Sequence, residues 1–155
     1  MENAKKHLTS QFEDKVNNLQ IIPHKSGSPS FYESFSIHGF QIQKLLRGHV
    51  VCTWTVPARL TDASGALYAG VIATIVDDIG CVASLSDSQP QKVSVDMNIS
   101  YISTAKVNDE IEVDARVLGH KGGFSMTYVN LKNKATGETI AEGRHSLYGR
   151  QTSKL

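Results

Sequence analysis

The segment Leu67–Leu85 constrains the fold of this 155-residue chain more than any other part of it. It is the one long stretch that is apolar on nearly every side of a helix, and its alanines favour helix over strand. A helix of that kind must be buried on nearly every side. We therefore expect the rest of the chain to wrap around it.

Segments with the pattern of β-strands lie on both sides of this predicted helix. Two precede it, Phe35–Gln43 and Gly48–Pro57, and the second alternates apolar and polar side chains. Short turns join the later strands, which predicts an antiparallel meander. The fold class is therefore α+β, with a curved antiparallel sheet wrapped round one long central helix. The four later strands are Val93–Ile102, Glu110–Leu118, Phe124–Lys132 and Thr139–Leu147.

Composition and charge narrow the class of protein. A net charge of +1 argues against a nucleic-acid partner, and 40% hydrophobic content suits one globular domain with one core. Cys52 and Cys81 lie in apolar stretches, and the six histidines show no ligand spacing, so we expect neither a metal nor a cofactor. No apolar run looks long enough to span a bilayer, and Met1–Gln20 is too polar for a signal peptide.

The two ends of the chain carry separate signals. Apolar residues recur every three to four positions from Ala4 to Leu19, which predicts a helix. We divide the chain into an N-terminal helix and loop (residues 1–30), a main domain (31–150) and a tail (151–155). The tail ends in Ser153, Lys154 and Leu155, the address read by the peroxisomal import receptor. We therefore expect the chain in the peroxisomal matrix, where acyl groups are handled largely as coenzyme A thioesters.

Two adjacent carboxylates, Asp77 and Asp78, lie deep in the apolar helix. Neighbouring side chains on a helix point about 100° apart, so the two cannot share one face. A buried carboxylate is costly unless it is paired, hydrogen-bonded or used. Either one of them pairs with a basic group or caps a backbone, or one is a general base or nucleophile. The face of Asp77 allows close approach, because its other residues are small: Gly70, Ala73, Thr74, Gly80 and Cys81.

The surroundings of Asp77 resemble the hotdog-fold acyl-CoA thioesterases. Thr61–Gly70, followed seven residues later by Asp77, is similar to the active-site segment of that family. The resemblance runs from about Val50 to Tyr148. It implies a hotdog fold, an acyl-CoA substrate and active sites at a subunit interface. Further matching segments and residues are Val93–Asn98, Tyr101, Ala105, Lys106, Asn133–Gly137 and Gly143–His145.

The same resemblance implies an assembly and a range of substrates. We expect a homodimer at least, and a homotetramer built as a dimer of dimers. The acyl group is a medium or long fatty chain, or else an aryl group such as hydroxybenzoyl or dihydroxynaphthoyl. A hotdog protein that binds acyl-CoA but hydrolyses it poorly is a second interpretation. A hotdog hydratase is disfavoured, because those enzymes usually use a catalytic histidine and none lies between His49 and His120.

Roles for individual residues also follow from the resemblance. Asp77 corresponds to the carboxylate that acts as general base or nucleophile on the thioester. Ala69 corresponds to a glycine whose backbone N–H, at the helix start, binds the thioester carbonyl. Ser94 corresponds to a hydroxyl that helps to position the attacking water. Strict alternation would place the polar residues Asp96 and Asn98 on the same strand face as Ser94.

Three positions depart from the family pattern. Asp62 stands where the family usually has Asn or Gln, and an ionised carboxylate cannot donate to a carbonyl. Either Asp62 is protonated by sharing a proton with Asp77 across the interface, or it has another role, such as holding water. Tyr68 and Ala69 replace His and Gly, so Tyr68 either donates its hydroxyl or packs. The implied substrate-binding residues are Tyr68, Gly70, Tyr101, Lys106, Lys121 and His145.

Overall fold

The computed structural model describes residues 31–149. The chain divides into two compact units, Met1–Phe35 and Ser36–Leu155. The predicted helix between Ala4 and Leu19 and the terminal tripeptide lie outside the described residues. The elements are α1 (Phe31–Ile37), β1 (Gln41–Leu46), β2 (His49–Thr55), a 3-10 turn (Ala58–Leu60), α2 (Ala69–Ser86), β3 (Val93–Tyr101), β4 (Glu110–Lys121), β5 (Phe124–Asn133) and β6 (Thr139–Tyr148).

Six strands form one sheet in the order β1-β2-β4-β5-β6-β3, and every neighbouring pair is antiparallel. Helix α2 packs against one face of this curved sheet, which confirms the predicted α+β class. The alternation predicted for β2 is also confirmed, because Val50, Cys52 and Trp54 are buried whereas Val51, which faces the other way, is half-buried. Val56, just beyond the strand, is buried as well.

The predicted position of the first strand, Phe35–Gln43, is wrong. Phe31–Ile37 is helical, and β1 begins only at Gln41. The position of β1 follows from its hairpin with β2, in which Leu46 pairs with His49. Gly48 makes that tight turn with a φ of 69°, a backbone conformation that residues with a side chain disfavour.

The predicted meander is wrong for one of its four strands. β3 pairs with β6 at the sheet edge, not with β4, which follows it in sequence. The connection of residues 102–109 crosses the end of the sheet and is held by the segment before α2. Leu67 N–H donates to the carbonyl of Ala105 at 2.9 Å, and Val107 N–H donates to that of Gly65 at 2.9 Å. These hydrogen bonds tie the connection between β3 and β4 to the loop from which α2 begins.

Helix α2 confirms the predicted central helix, with its start moved from Leu67 to Ala69. We expected α2 to be buried on nearly every side, and this is wrong, because the sheet covers one face of the helix only. The covered residues are Ile72, Ile75, Val76, Ile79, Gly80, Ala83 and Ser84. The uncovered side is half exposed and carries Ala73, Thr74, Asp77 and Cys81.

We expected no apolar run long enough to span a bilayer, and by the criteria of length and composition alone this is wrong. Helix α2 has 18 residues and a mean hydropathy of 1.5, long and apolar enough to cross a membrane. In this fold α2 is the core helix of a sheet. Its close packing depends on Gly143 in β6, where a Cβ would lie 2.7 Å from Val76 Cγ1.

Candidate active site

A tight loop precedes α2, and Asp62 organises it. Its Oδ1 accepts hydrogen bonds from the backbone N–H of Ser64 at 2.8 Å, the hydroxyl of Ser64 at 2.7 Å and the N–H of Ala66 at 2.9 Å. The Ser64 hydroxyl and then the Ala66 N–H hold the pKa of the Asp62 carboxyl below its usual value. Because Asp62 Oδ1 accepts three hydrogen bonds within this loop, the structure gives the residue a role in holding the loop.

The first turn of α2 presents unpaired backbone donors. Tyr68 caps the helix in an extended conformation, and its carbonyl accepts the N–H groups of Val71 and Ile72. Within residues 31–149, the N–H groups of Ala69 and Gly70 have no backbone acceptor. Ala69 is helical with a negative φ, so it presents its N–H as the replaced glycine would. The Tyr68 side chain is exposed, and the space around Gly70 is open.

Asp77 and Ser94 meet on the half-exposed side of α2. The Ser94 hydroxyl donates to Asp77 Oδ1 at 2.5 Å. A hydrogen bond of this length to a carboxylate is charge-assisted and strong. The Asp77 side chain is 38% exposed, so its carboxylate can reach a substrate. The structure thus brings together two residues that lie 17 positions apart in the sequence.

A β-bulge aims Ser94 at the helix. Ser94 pairs with Leu147 and Asp96 with Ser146, so β3 advances two residues while β6 advances one. Ser94 therefore faces inward, whereas Asp96 and Asn98 face outward, Asn98 opposite the exposed Arg144. The expectation of one polar face for all three residues is wrong, because strict alternation does not allow for the bulge.

His145 lies beneath Asp77. Its side chain is fully buried, and its Nε2 is 3.3 Å from Asp77 Oδ1. That distance suits an ion pair, but the angles do not make a hydrogen bond, and neither ring nitrogen has another partner in the part described. A buried ring cannot contact coenzyme A in this chain, so the predicted binding role does not fit its position. Burial lowers the pKa of the imidazole, and the opposing effects of Asp77 and Asp96 are smaller.

Cys81 lies one turn beyond Asp77 on the same side of α2. Burial, and then the charges of Asp77 and Asp78, raise the pKa of its thiol to about 11. A thiol of this kind stays protonated at neutral pH and is a poor nucleophile. Among residues 31–149, no three His, Cys, Asp or Glu side chains come together to hold a metal ion.

The predicted lysine contacts do not come together in one chain. Lys106 forms a backbone bridge with Ala66, just before α2 begins. Lys121 lies near the other end of α2. It follows His120, whose Nε2 is 2.8 Å from Oδ2 of Asp87, the residue that caps the C-terminal end of the helix. The 18 residues of α2 separate these two positions by roughly 27 Å of helix. Tyr101 is exposed at the end of edge strand β3.

Sequence reasoning missed a polar cluster at the far end of α2. Asp87 binds Arg47 and His120, and His120 Nδ1 lies 2.7 Å from the hydroxyl of Ser125. Lys92 Nζ donates to the same hydroxyl at 2.6 Å. The Asp–His–Ser order is that of a hydrolase triad, but Ser125 is completely buried, so no substrate reaches it. No sequence signal reveals this cluster, because its five members come from parts of the chain that meet only in the folded structure.

Two clefts lie on the opposite face of the sheet from α2. They enclose about 200 and 340 Å³, and their walls are mainly polar and charged side chains. None of the predicted site residues lines either of them. The predicted residues Ala69 and Asp77 lie instead at the start and on the half-exposed side of α2.

Comparisons with known proteins identify the family of the chain. The model of the Thioesterase superfamily matches residues 64–148. Acyl-coenzyme A thioesterase 13 from Homo sapiens is 44% identical over 100 residues, which are 64% of this chain and 71% of that protein. The counterpart of the same name from Mus musculus is 39% identical over 98 residues, 63% of this chain and 70% of that one.

Solved structures give the same result. Zebra fish thioesterase superfamily member 2 superimposes with a TM-score of 0.72 and 36% identity, over 79% of this chain and 88% of that chain. A Streptococcus pneumoniae thioesterase solved with coenzyme A has a TM-score of 0.69 at 20% identity, over 72% of this chain and 89% of that chain, which shows the fold alone. The family match spans more than half of the chain and includes Asp77 and Ser94. The chain is therefore a thioester hydrolase that belongs to the Thioesterase superfamily and has the hotdog fold.

Proposed function

We propose that this chain is an acyl-CoA thioesterase that hydrolyses medium- or long-chain fatty acyl-CoA to a free fatty acid and coenzyme A in the peroxisome. The observation that carries the proposal is the 2.5 Å hydrogen bond from Ser94 to Asp77, on the accessible side of α2. It holds a carboxylate ready for general-base chemistry in a partly dry setting. The names of the relatives, acyl-coenzyme A thioesterase 13, support the acyl-CoA substrate.

In the proposed reaction, Asp77 takes a proton from a water molecule as the water oxygen attacks the thioester carbon. The C–S bond then breaks, and the proton returns to the departing coenzyme A thiolate or to solvent. Ser94 keeps the Asp77 carboxylate in one orientation through its hydrogen bond to Oδ1. No covalent intermediate is needed, because the half-exposed Asp77 leaves room for a water molecule beside it.

The developing negative charge on the thioester oxygen needs donors. The free N–H groups of Ala69 and Gly70 at the start of α2 supply them, aided by the helix dipole. Asp77 lies eight residues further along the same helix, roughly 12 Å away, which is too far for one thioester group to meet both within one chain. Asp62 contributes by holding the loop before Ala69 in shape, through its three hydrogen bonds.

A second copy of the chain completes the proposed site. Within the described part of the chain, edge strand β3 pairs with β6 alone, and nearly all its side chains are exposed, including the apolar Val93 and Val95. An exposed apolar edge strand of this length invites pairing with another chain. Together with the uncovered side of α2, this edge supports a homodimer at least, with a homotetramer as the full assembly. A stable monomer in sedimentation equilibrium at micromolar concentration would contradict this part.

The substrate class is tested by thiol release across a panel from acetyl-CoA to palmitoyl-CoA, with benzoyl-type thioesters beside them. We expect kcat/KM to be greatest for medium or long fatty chains. Faster release from the aryl thioesters would replace the fatty acyl proposal with an aryl one. Slow release from every member would favour instead a protein that binds acyl-CoA but hydrolyses it poorly, the interpretation that Asp62, Tyr68 and Ala69 motivate.

The proposed location rests on Ser153, Lys154 and Leu155. A fluorescent protein fused to the amino end leaves this tripeptide free for the import receptor. We expect the fusion to co-localise with a peroxisomal marker, and a matched fusion without the last three residues to stay diffuse. Equal distributions of the two fusions would contradict a peroxisomal address.

A further inference from the structure

His145 is a buried polar side chain that the proposed mechanism leaves unused. Its ring is fully buried in β6, and neither ring nitrogen forms a hydrogen bond with another described residue. Buried polar atoms without partners are rare and call for an explanation. A carboxylate oxygen nevertheless lies close to Nε2, because Asp77 Oδ1 is 3.3 Å away.

The fold makes room for this ring at one particular position. Gly80 lies one turn beyond Asp77, and a Cβ there would come within 2.9 Å of both His145 Nδ1 and Thr127 Oγ1. The ring therefore fits under α2 only because residue 80 has no side chain. This places the opposite nitrogen, Nε2, below the carboxylate of Asp77.

The protonation state of the ring follows from its surroundings. Burial lowers the pKa of His145, and Asp77 on α2 and Asp96 on β3 oppose this only in part. A neutral imidazole carries one N–H, on either Nδ1 or Nε2. Only the Nε2–H form directs a donor at the Asp77 carboxylate; the other form would point a lone pair at it. In this structure the contact is long, at 3.3 Å, and poorly aligned, so it is not yet a hydrogen bond; catalytic hydrogen bonds are often of this kind before substrate binds and tighten in the complex.

We propose that His145 is a positioning residue that donates a hydrogen bond from Nε2–H to Oδ1 of the catalytic Asp77. This inference rests on the proposed function. The Ser94 hydroxyl donates to the same oxygen. Both contacts of the carboxylate seen among residues 31–149 then fall on Oδ1, which leaves Oδ2 to accept the proton of the attacking water. A second donor, from a second strand, restricts the rotation of the carboxylate further than the Ser94 hydroxyl does by itself.

Kinetics of three variants test this role. His145→Leu removes the donor at similar size, and His145→Gln keeps an amide N–H near the position of Nε2. We expect His145→Leu to lower kcat by about 10- to 100-fold with KM changed less than about 3-fold. His145→Gln should recover most of the loss. Gly80→Ala, which displaces the ring and removes no polar group, should lower kcat as well, and it serves if His145→Leu does not fold.

The tautomer itself gives a readout that does not depend on turnover. Long-range ¹H–¹⁵N spectra of the full chain at neutral pH should show His145 as the Nε2–H form, with its signals assigned by their loss in His145→Gln. An Nδ1–H form, or a charged ring, would overturn the inference. So would wild-type kcat in both His145→Leu and Gly80→Ala while Asp77→Asn is inactive. If Asp77→Asn kept full turnover, the proposed function itself would fail instead.

Discussion

The close approach of β6 to α2 leads to a quantitative prediction for Gly143→Ala. A Cβ at this position would lie 2.7 Å from Val76 Cγ1 and 3.1 Å from Val76 Cγ2, whereas carbon atoms pack best about 3.5–4.0 Å apart. Strand and helix must therefore separate by nearly 1 Å, and overpacking of this kind costs about 1–3 kcal/mol. Replacing glycine with alanine returns about 0.4–1 kcal/mol by restricting the unfolded chain. Taken at the middle of both ranges, the net loss in the free energy of unfolding is about 1.3 kcal/mol.

Urea unfolding followed by circular dichroism measures this loss. With an m-value of about 2 kcal/mol/M, the midpoint should fall by about 0.5–1 M. Gly119→Ala is the matched control, because Gly119 also lies in a strand and a Cβ there would meet no atom within 4 Å. The control should match or exceed the stability of the wild type. Equal midpoints for the two variants would show that β6 does not approach α2 this closely, and the contact between His145 and Asp77 would lose its basis.

Three further predictions concern the site and its support. Ser94→Ala removes a charge-assisted hydrogen bond, so kcat should fall about 10- to 100-fold in a thiol-release assay; an unchanged kcat would show that this bond is not used. Asp62→Asn keeps an acceptor oxygen for the loop, so its kcat/KM should match that of the wild type, while Asp62→Ala should lose activity; equal losses in both would refute the loop role. Arg47 and then His120 lower the pKa of Asp87, so the stability from these contacts is present above the ordinary carboxyl pKa and is lost as the pH falls through the folded value. Urea unfolding should accordingly show Asp87→Asn less stable at pH 7, with a difference that narrows below about pH 4; a difference independent of pH would contradict this.

The sequence predicted the elements whose burial leaves a periodic pattern. β2 alternates because alternate side chains enter the core, and α2 stands out because its length and alanines favour a helix. β1 has no such pattern, since all six of its residues from Gln41 to Leu46 are exposed. Its place depends on the turn at Gly48, and the expectation of a strand from Phe35 was wrong for that reason.

Long-range pairing and local irregularity set the limits of sequence reasoning at the site. The pairing of β3 with β6 joins strands nearly 50 residues apart, and only this pairing creates the bulge that turns Ser94 toward Asp77. The position of His145 under Asp77 depends on the absent side chain of Gly80, a contact that no spacing rule contains. The resemblance singled out Asp77, Ala69 and Ser94 as site residues, and the structure adds how their neighbours hold them.

The most direct test of the account compares Asp77→Asn with Asp78→Asn. The two variants make the same change at adjacent residues of α2, whose side chains point about 100° apart. With the best acyl-CoA of the panel, Asp77→Asn should lose about 10²–10⁴-fold in kcat and still bind coenzyme A, as expected for loss of a general base. Asp78→Asn should retain turnover at a temperature where thermal unfolding shows it folded. Turnover by folded Asp77→Asn within a few-fold of the wild type would contradict the central claim that this carboxylate drives thioester hydrolysis.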